Sequence, residues 1–359
     1  MTAHNTGLAA VAEKVKLLAA EHAARADATR RLAPEVVEAL REAGFARHFV
    51  AAERGGTQGS FAELTQAVLS VGQGCSAAAW CASLSAYSSR FAALLPELGH
   101  EEIWASGPDT FVVTGQPPMG RGTAVDGGHR LSGRWTYVSG VDFADWALLC
   151  GMVGDEGRFF ALPRKDFTVL ETWDSVGMKA TSSHSVVVDD VLVPAHLSFS
   201  RADLVTGTSW SPVPSHNVPF QAVGGLTFAA PAVGAAMGAL DACVSVLSGK
   251  KQSVTSAVDL VRASGQVESA KLLVEQNAGV LDDREFTPAA MARNERNVAY
   301  AAEVLVDAVG GLVRAAGTSG LAEGGALQRF WRDVVSSSSH VALRYETASV
   351  RTYPASLYG

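Results

Sequence analysis

The chain has 359 residues, of which 48% are hydrophobic, so it is long enough to bury a large core and more than one structural unit. Its formal net charge is −7 and it has no extended basic stripe, which excludes an electrostatic case for binding nucleic acid or an anionic membrane. Four cysteines without a C-x-x-C pair, and no histidines at zinc-ligand spacing, argue against a metal site and predict buried free thiols.

The first hundred residues predict helices. Val11, Val15 and Leu18 recur at the spacing of one helix face. A second helix begins near Pro34, because proline suits the first turn, and Gly44 is a suitable C-cap. Further helices are predicted at 61–71, 76–95 and 101–105. We therefore expect an N-terminal α-helical domain over residues 1–108.

From about Pro108 the pattern changes to short strands. Apolar or alternating segments occur at 111–113, 129–139, 147–152, 158–162, 167–171 and 185–193. Turn residues, such as those at 126–128, separate them. Short strands this close together predict a compact β-barrel or sandwich, which we place at residues 109–214.

The remaining residues, 215–359, predict a four-helix bundle. Helical periodicity covers 220–247, 257–282, 288–316 and 325–352, with short links that favour antiparallel packing. The most apolar stretch, 228–247, contains Pro231 and Asp241, so we interpret it as a buried helix and not as a membrane span. Residues 1–5 lack the pattern of a signal peptide, so a cytoplasmic protein is expected.

Four segments in this block order carry a resemblance to a known family. They are GCSAAAW (74–80), TGQPPMG with VDGGHRLSGRWTYVSG (114–140), WDSVGMKATSSH with VVVDDVLVP (173–194), and LQRFWRD (327–333) followed by His340. Together they resemble the acyl-CoA dehydrogenase superfamily, and more closely its two-component flavin-dependent monooxygenase branch, the group D hydroxylases. The resemblance implies a helical N-terminal domain, a β domain and a C-terminal four-helix bundle, a mainly α member of the α+β class.

The resemblance also implies an activity. Members of this branch are oxygenase components that use reduced FAD or FMN and O₂, through a C4a-(hydro)peroxyflavin, to hydroxylate small aromatic or natural-product-like molecules in specialised metabolism. It further implies a homotetramer or a homodimer. The chain itself has no dinucleotide-binding fingerprint, since the run from Gly120 lacks the third glycine, so a separate flavin reductase is expected to supply the reduced cofactor.

Two residues are the catalytic candidates that the resemblance implies. Ser139 is expected to hold the reactive edge of the flavin. His340 is expected in a helical stretch, pointing at flavin and substrate, where an imidazole can accept a substrate proton or donate a hydrogen bond. Period-2 spacing places Trp135, Tyr137 and Ser139 on one strand face beside the flavin. The alternative is that the two aromatic residues are barrel core and that Ser139 begins a turn before Gly140.

Other residues are expected around the cofactor and the substrate. Each has a structural alternative: a turn for the polar residues and core packing for the aromatic ones. The cofactor candidates are Gln116, Pro117 and Gly120 on a loop beside the ring, Trp173 over the ring, and the hydroxyl cluster Thr181, Ser182 and Ser183. The candidates for the wall of the substrate pocket are Phe49, Trp80 and Tyr87.

Two other functions remain open at this stage. The namesakes of the superfamily oxidise acyl-CoA thioesters with a glutamate base, and Glu346 is the carboxylate that we consider for that role, with an exposed helical glutamate as the alternative. A flavin-free relative with a binding role is the second possibility. Fold alone does not separate these functions, because function depends on the site.

Overall fold

The N-terminal part of the chain is a helical block. The computed structural model describes residues 7–249, 251 and 253–351. The predicted helix end at Thr352 and the opening residues 1–5 lie outside these. The helix predicted from Pro34 is confirmed, and Gly44 ends it in a left-handed conformation, φ 87°, with its N–H donated to the Arg41 carbonyl. The helices are α1 (Leu8–Thr29), α2 (Pro34–Ala43), α3 (Phe61–Gly74), α4 (Ser76–Ala92) and α5 (Glu97–Ile103).

A seven-stranded sheet follows. Its strand order is β5-β6-β2-β1-β3-β4-β7, with β1 parallel to β3 and the other neighbouring pairs antiparallel. Strands β4 and β6 come into contact although three strands separate them in the sheet, so the sheet curls as the barrel alternative requires. The strands are β1 (Val112–Val125), β2 (Gly128–Val138), β3 (Trp146–Val153), β4 (Glu156–Pro163), β5 (Thr168–Leu170), β6 (His184–Pro194) and β7 (Ser198–Ser200).

One part of the strand prediction is wrong. Gln116, Pro117 and Gly120 were expected on a loop, but β1 continues through all three residues. The register between β1 and β3 shifts between Gly115 and Gly120, which is the sign of a bulge. A bulge tolerates proline because one backbone N–H is released from the ladder there.

The C-terminal part is helical, as predicted, but two of the four expected helices are broken. Gly224 and Gly225 separate α7 from α8, and a 3₁₀ turn at Val341–Leu343 separates α11 from α12. The predicted bounds of the third helix are confirmed by α10. After the short α6 (Arg201–Thr206), the helices are α7 (Phe220–Val223), α8 (Leu226–Leu247), α9 (Val254–Asp282), α10 (Pro288–Ala316), α11 (Ala326–Ser338) and α12 (Tyr345–Arg351).

Helices from both ends of the chain share one hydrophobic core, whereas the sheet has its own. Val15, Leu64, Val233 and Leu312 belong to the helical core, and Trp135 belongs to the core of the sheet. The division into three domains therefore stays a prediction, since its first and third parts do not have separate cores. All four cysteines are buried and free, as expected.

Helix α8 lies at the centre of the helical core. The segment Phe220–Leu247 is long and apolar enough to cross a membrane by length and composition. However, α8 packs against α3, α10 and α11, so the interpretation as a buried helix is confirmed. Helices α3 and α8 touch through backbone: a Cβ on Gly72 would lie 2.9 Å from the Gly234 Cα.

Candidate active site

Ser139 lies just beyond the end of β2, in a chain of hydrogen bonds that joins two parts of the fold. The indole Nε1 of Trp80, on α4, donates to Ser139 Oγ at 3.1 Å. Ser139 Oγ is 2.7 Å from Ser183 Oγ, and Ser183 Oγ is 2.7 Å from Thr181 Oγ1. Thr181 Oγ1 donates to the carbonyl of Met178 at 3.0 Å. The helical core and the sheet are therefore connected through these side chains.

The loop that carries Thr181 and Ser183 is held from two sides. Its backbone is tightly turned, with left-handed conformations at Met178 and Ser182. The N–H of Gly140 donates to the Thr181 carbonyl at 2.7 Å, and the N–H of Met178 donates to Asp333 Oδ1 at 2.6 Å. Burial raises the pKa of Asp333 to about 6, with the Met178 hydrogen bond acting in the opposite direction. The loop thus links the end of β2 to α11.

His340 does not lie within a helix, contrary to the prediction. It precedes the 3₁₀ turn Val341–Leu343, and its Nδ1 accepts the N–H of Ala342 at 3.2 Å. Because Nδ1 accepts, the proton of the neutral ring is on Nε2. That Nε2 has no hydrogen-bond partner in the described part of the chain. Burial lowers the pKa of His340 to about 4, and the charge of Arg344 acts in the same direction, so the ring is a neutral donor at neutral pH.

Aromatic side chains surround this imidazole. The ring of Phe228, on α8, stacks on His340 with centroids 3.7 Å apart, and Trp80 meets His340 edge-on at 5.9 Å. Trp80 therefore touches both catalytic candidates, because its nitrogen bonds Ser139 and its ring contacts His340. Phe228 has no signal in the sequence, since it is more than a hundred residues from His340 and belongs to a long apolar stretch.

The expectation that Trp135, Tyr137 and Ser139 share one face is wrong. Trp135 has no accessible surface, and its Nε1 donates to the Cys150 carbonyl at 2.6 Å within the core of the sheet. Tyr137 is 73% exposed and has φ 61°, so the alternation of the strand is interrupted there. The cofactor role predicted for Trp135 is not supported, whereas Tyr137 is accessible to a ligand.

Tyr137 pairs with Trp173 at the edge of a surface cleft. The two rings are perpendicular with centroids 6.1 Å apart, and Trp173 Nε1 donates to the Met178 carbonyl at 2.9 Å. Trp173 and His184 line a cleft of about 680 Å³ between the α1–α2 turn and the loop after β5. The exposed aromatic pair therefore lies beside the loop that carries the hydroxyl chain.

The other cofactor candidates lie outside the hydroxyl chain. Gly120 is buried, and a Cβ there would lie 2.3 Å from Trp135 Cζ2, so this glycine makes room for the indole. Gln116 is half-buried and Pro117 is exposed on β1. Ser182 Oγ donates to Asp142 Oδ2 at 2.8 Å and thus points to a charged cluster instead of the chain.

The three candidates for the pocket wall have different surroundings. Phe49 has no accessible surface and packs on Phe61 at 4.9 Å and on Tyr87 at 5.6 Å between ring centroids. Tyr87 is buried as well, and burial raises its pKa. Trp80 is the candidate that contacts Ser139 and His340. A pocket role is therefore supported for Trp80 and is not supported for Phe49.

These groups fit a flavin. A flavin presents a flat aromatic ring system with hydrogen-bonding edges. Ser139 is partly accessible, His340 has an unpaired Nε2–H, and the Tyr137–Trp173 pair is exposed. Within the described residues, no group of three or more His, Cys, Asp or Glu side chains is placed to hold a metal ion. Ser139, Tyr137 and Trp173 would hold the flavin, with His340 beside it.

Comparison with known proteins identifies the family. The N-terminal domain of acyl-CoA dehydrogenase matches residues 3–105, and its C-terminal domain matches residues 226–345. The oxygenase subunit HsaA of a flavin-dependent monooxygenase from Rhodococcus jostii is 31% identical over 354 residues, covering 92% of this chain and 93% of that protein. The chain belongs to the acyl-CoA dehydrogenase family, in its flavin-dependent monooxygenase branch. The predicted fold, enzyme class and flavin dependence are confirmed.

Solved structures agree with this family. The 3-HSA hydroxylase of Rhodococcus sp. RHA1 superposes with a TM-score of 0.92 at 28% identity, covering 99% of this chain and 98% of that one. XiaF from Streptomyces sp., in complex with FADH2 and glycerol, superposes with a TM-score of 0.88 at 25% identity, covering 95% and 92%.

The relatives in this branch are monooxygenases. The position of Glu346 also argues against the dehydrogenase alternative. Glu346, the carboxylate considered as the base of a dehydrogenase, is exposed on α12. Within the described residues, no hydrogen bond or ion pair joins Glu346 to Ser139, Trp80 or His340. The exposed helical glutamate is thus the interpretation that the structure supports.

Proposed function

We propose that the chain hydroxylates a small aromatic substrate with O₂ and a reduced flavin, at a site formed by Ser139, Trp80 and His340. The observation that carries this proposal is the double contact of Trp80. Its indole nitrogen donates to Ser139, and its ring meets the ring of His340. One side chain thereby holds a hydrogen-bond acceptor and a neutral hydrogen-bond donor at a common site.

The residues of the chain have separate roles in this reaction. When bound, a reduced flavin would supply the electrons that activate O₂. Ser139 orients the ring by accepting a hydrogen bond, and Tyr137 and Trp173 cover it. Trp80 and Phe228 exclude water beside His340, which reduces wasteful release of peroxide.

His340 acts as a donor in this proposal. The sequence left two roles open, acceptor of a substrate proton or donor of a hydrogen bond. The backbone N–H of Ala342 occupies Nδ1, and burial lowers the pKa of the ring to about 4, so the accessible Nε2 carries a hydrogen at neutral pH. We therefore assign Nε2–H to donation toward the oxygen that is transferred.

The proposed function also requires a reductase and a substrate as partners. A separate reductase supplies reduced FAD or FMN, in keeping with the two-component relatives and with the missing dinucleotide fingerprint. Relatives of the chain include hydroxylases of resorcinol and of p-hydroxyphenylacetate, which supports a small aromatic substrate. A homotetramer or homodimer in the cytoplasm completes the proposal.

The test measures binding first and chemistry second. The purified protein is titrated anaerobically with dithionite-reduced FAD and FMN, then mixed with oxygenated buffer and a panel of simple phenols. We expect a reduced flavin to bind and part of the O₂ to appear as hydroxylated phenol. Ser139→Ala should divert O₂ to hydrogen peroxide, whereas Ser185→Ala, a buried serine on β6, should not.

Two outcomes would contradict the proposal. Absence of binding by either reduced flavin would leave the flavin-free binding role. Flavin binding with oxidation of acyl-CoA thioesters by an artificial electron acceptor, lost in Glu346→Gln, would instead establish the dehydrogenase.

A further inference from the structure

The hydrogen-bond chain at Ser139 has two ends of opposite character. At one end the indole N–H of Trp80 can only donate, and at the other the carbonyl of Met178 can only accept. Three hydroxyls lie between them, and each has a single hydrogen to donate. The direction of every bond in the chain can therefore be derived from its ends.

The derivation starts at the carbonyl. Thr181 Oγ1 lies 3.0 Å from the Met178 oxygen and must donate to it, because two acceptors at that distance would repel. The Thr181 hydrogen is then used, so Ser183 donates to Thr181 across 2.7 Å. The Ser183 hydrogen is used in turn, so Ser139 donates to Ser183 across 2.7 Å.

Ser139 is consequently left without a hydrogen for a ligand. Its oxygen accepts from Trp80, gives its hydrogen to Ser183 and retains one free lone pair. Ser139 is partly accessible, whereas Thr181 and Ser183 are 1% and 5% exposed. The two inner hydroxyls thus do not face a ligand themselves and act through Ser139.

We propose that Ser183 and Thr181 are positioning residues, which hold the Ser139 hydroxyl as a hydrogen-bond acceptor and thereby set how strongly the site discriminates between reduced and oxidised flavin. The inference rests on the proposed function and deepens it. N5 of a reduced flavin carries a hydrogen and can donate to Ser139. N5 of an oxidised flavin has only a lone pair, which would face the lone pair of Ser139.

Binding oxidised flavin would cost this arrangement one hydrogen bond. To donate to N5, Ser139 must withdraw its hydrogen from Ser183, which leaves two oxygens 2.7 Å apart with no hydrogen between them. The loss of one hydrogen bond in a buried site corresponds to roughly a tenfold change in affinity. We expect the intact chain to contribute about this factor to the ratio of the two dissociation constants.

The test compares the binding of the two redox states. Dissociation constants for oxidised and dithionite-reduced FMN and FAD are measured anaerobically, and the midpoint potential of the bound flavin is measured by spectroelectrochemistry. Ser183→Ala cuts the chain next to Ser139, and Thr181→Val cuts it one link further. Ser185→Ala removes a buried hydroxyl on β6, two residues beyond Ser183, that bonds Thr172 and lies outside the chain.

The expected result is a tighter affinity for reduced flavin in the wild type and in Ser185→Ala. In Ser183→Ala and Thr181→Val the preference should fall roughly tenfold, mainly through tighter binding of the oxidised form. A tenfold fall corresponds to a potential lower by about 30 mV for two electrons. A merely structural role would weaken both redox states equally and leave the potential unchanged.

Two results would overturn the inference in distinguishable ways. The first is an equal ratio of the dissociation constants for oxidised and reduced flavin in the wild type, Ser183→Ala and Thr181→Val, with hydroxylation intact. It would overturn the role of the hydrogen-bond chain and leave the proposed function standing. Failure of the wild type to bind either redox state would overturn both together. Circular dichroism and thermal unfolding of each variant show that the comparison is made on folded protein.

Discussion

Two histidines in different regions of the molecule have pKa values lowered by burial but differ in their hydrogen bonds. Burial lowers the pKa of His216 and of His340 to about 4. His216 uses both ring nitrogens: Nδ1 is 2.7 Å from Ser211 Oγ, and Nε2 donates to the Phe49 carbonyl at 2.6 Å. Among the residues that the structure describes, His340 has a hydrogen-bond partner only at Nδ1, the N–H of Ala342.

The difference teaches how to separate a structural from a functional imidazole. A fully bonded ring, as in His216, ties one segment to another and has nothing left for a ligand. A ring with a free Nε2–H among aromatic side chains, as in His340, keeps a donor for chemistry. The pKa is lowered in both histidines, so its direction does not separate the two roles. The number of ring nitrogens that have a hydrogen-bond partner does separate them.

The largest expected effect is on chemistry at His340. In His340→Ala we expect the rate of hydroxylation to fall roughly 100-fold, because a positioned donor in the transition state is lost. Reduced-flavin binding and the thermal unfolding midpoint should change little. Product and hydrogen peroxide are measured in parallel under single turnover. An unchanged ratio of the two would assign His340 to structure, like His216.

The next effect is on stability at His216. His216→Ala removes two buried hydrogen bonds and leaves the Phe49 carbonyl and the Ser211 hydroxyl without their partner. We expect the free energy of unfolding to fall by about 3 kcal/mol. Urea unfolding measures it. The control is His196→Ala, whose partly exposed ring bonds only Glu102 among the described residues. A loss as small as that of the control would show that the two buried hydrogen bonds contribute little.

A smaller effect concerns acid stability. His100, His216 and His340 have folded pKa values of about 4, below the ordinary value of 6.5, so the unfolded chain binds more protons between these limits. Their contribution to stability is complete above pH 6.5 and is lost as the pH falls toward 4. Asp333, with its pKa raised to about 6, acts in the opposite direction over part of this range.

We therefore expect the free energy of unfolding to decrease from pH 6.5 to pH 4, since within the described residues burial lowers the pKa of five histidines and raises the pKa of only two carboxyls, Asp109 and Asp333. His216→Gln should make this decrease shallower, because one titrating group is removed. Urea unfolding at half-unit pH intervals checks the slope. An equal slope in the wild type and the variant would contradict the buried, neutral state of His216.

The smallest expected effect is at Glu346. Because this side chain is exposed on α12, Glu346→Gln should leave the free energy of unfolding within about 0.5 kcal/mol and the hydroxylation rate unchanged. The variant is assayed beside His340→Ala with the same phenols. A fall in the hydroxylation rate comparable to that of His340→Ala would instead place Glu346 at the active site.

Much of the fold was predictable because its signals are local. Pro34 and Gly44 marked the ends of α2, and the bounds of α10 were predicted without error. The three residues of β7 and the six of α6 are too short to show a period, so they were missed. The breaks at Gly224–Gly225 and at His340 were missed because apolar or small residues continue the helical pattern across them.

The candidate site was predictable only in part. Ser139, Trp80 and His340 were all named from the sequence, but their mutual contacts were not. Phe228 was missed, since a phenylalanine in an apolar helix has no distinctive pattern. Asp333 was interpreted as the ion-pair partner of Arg332, but it accepts from the Met178 N–H, and Arg332 pairs with Asp27. Trp135 and Tyr137 were placed on one face because the period-2 rule does not foresee the left-handed backbone at Tyr137.

By itself the sequence determined the order of helices and strands, the family motifs and the chemical groups available, because each of these depends on residues close together in the chain. The tertiary structure decided which groups act together. Trp80, Ser139, Phe228 and His340 come from four elements, and their contacts exist only when both cores are packed. The direction of the Ser139 hydrogen bond was likewise decided there, because it depends on a carbonyl three links away.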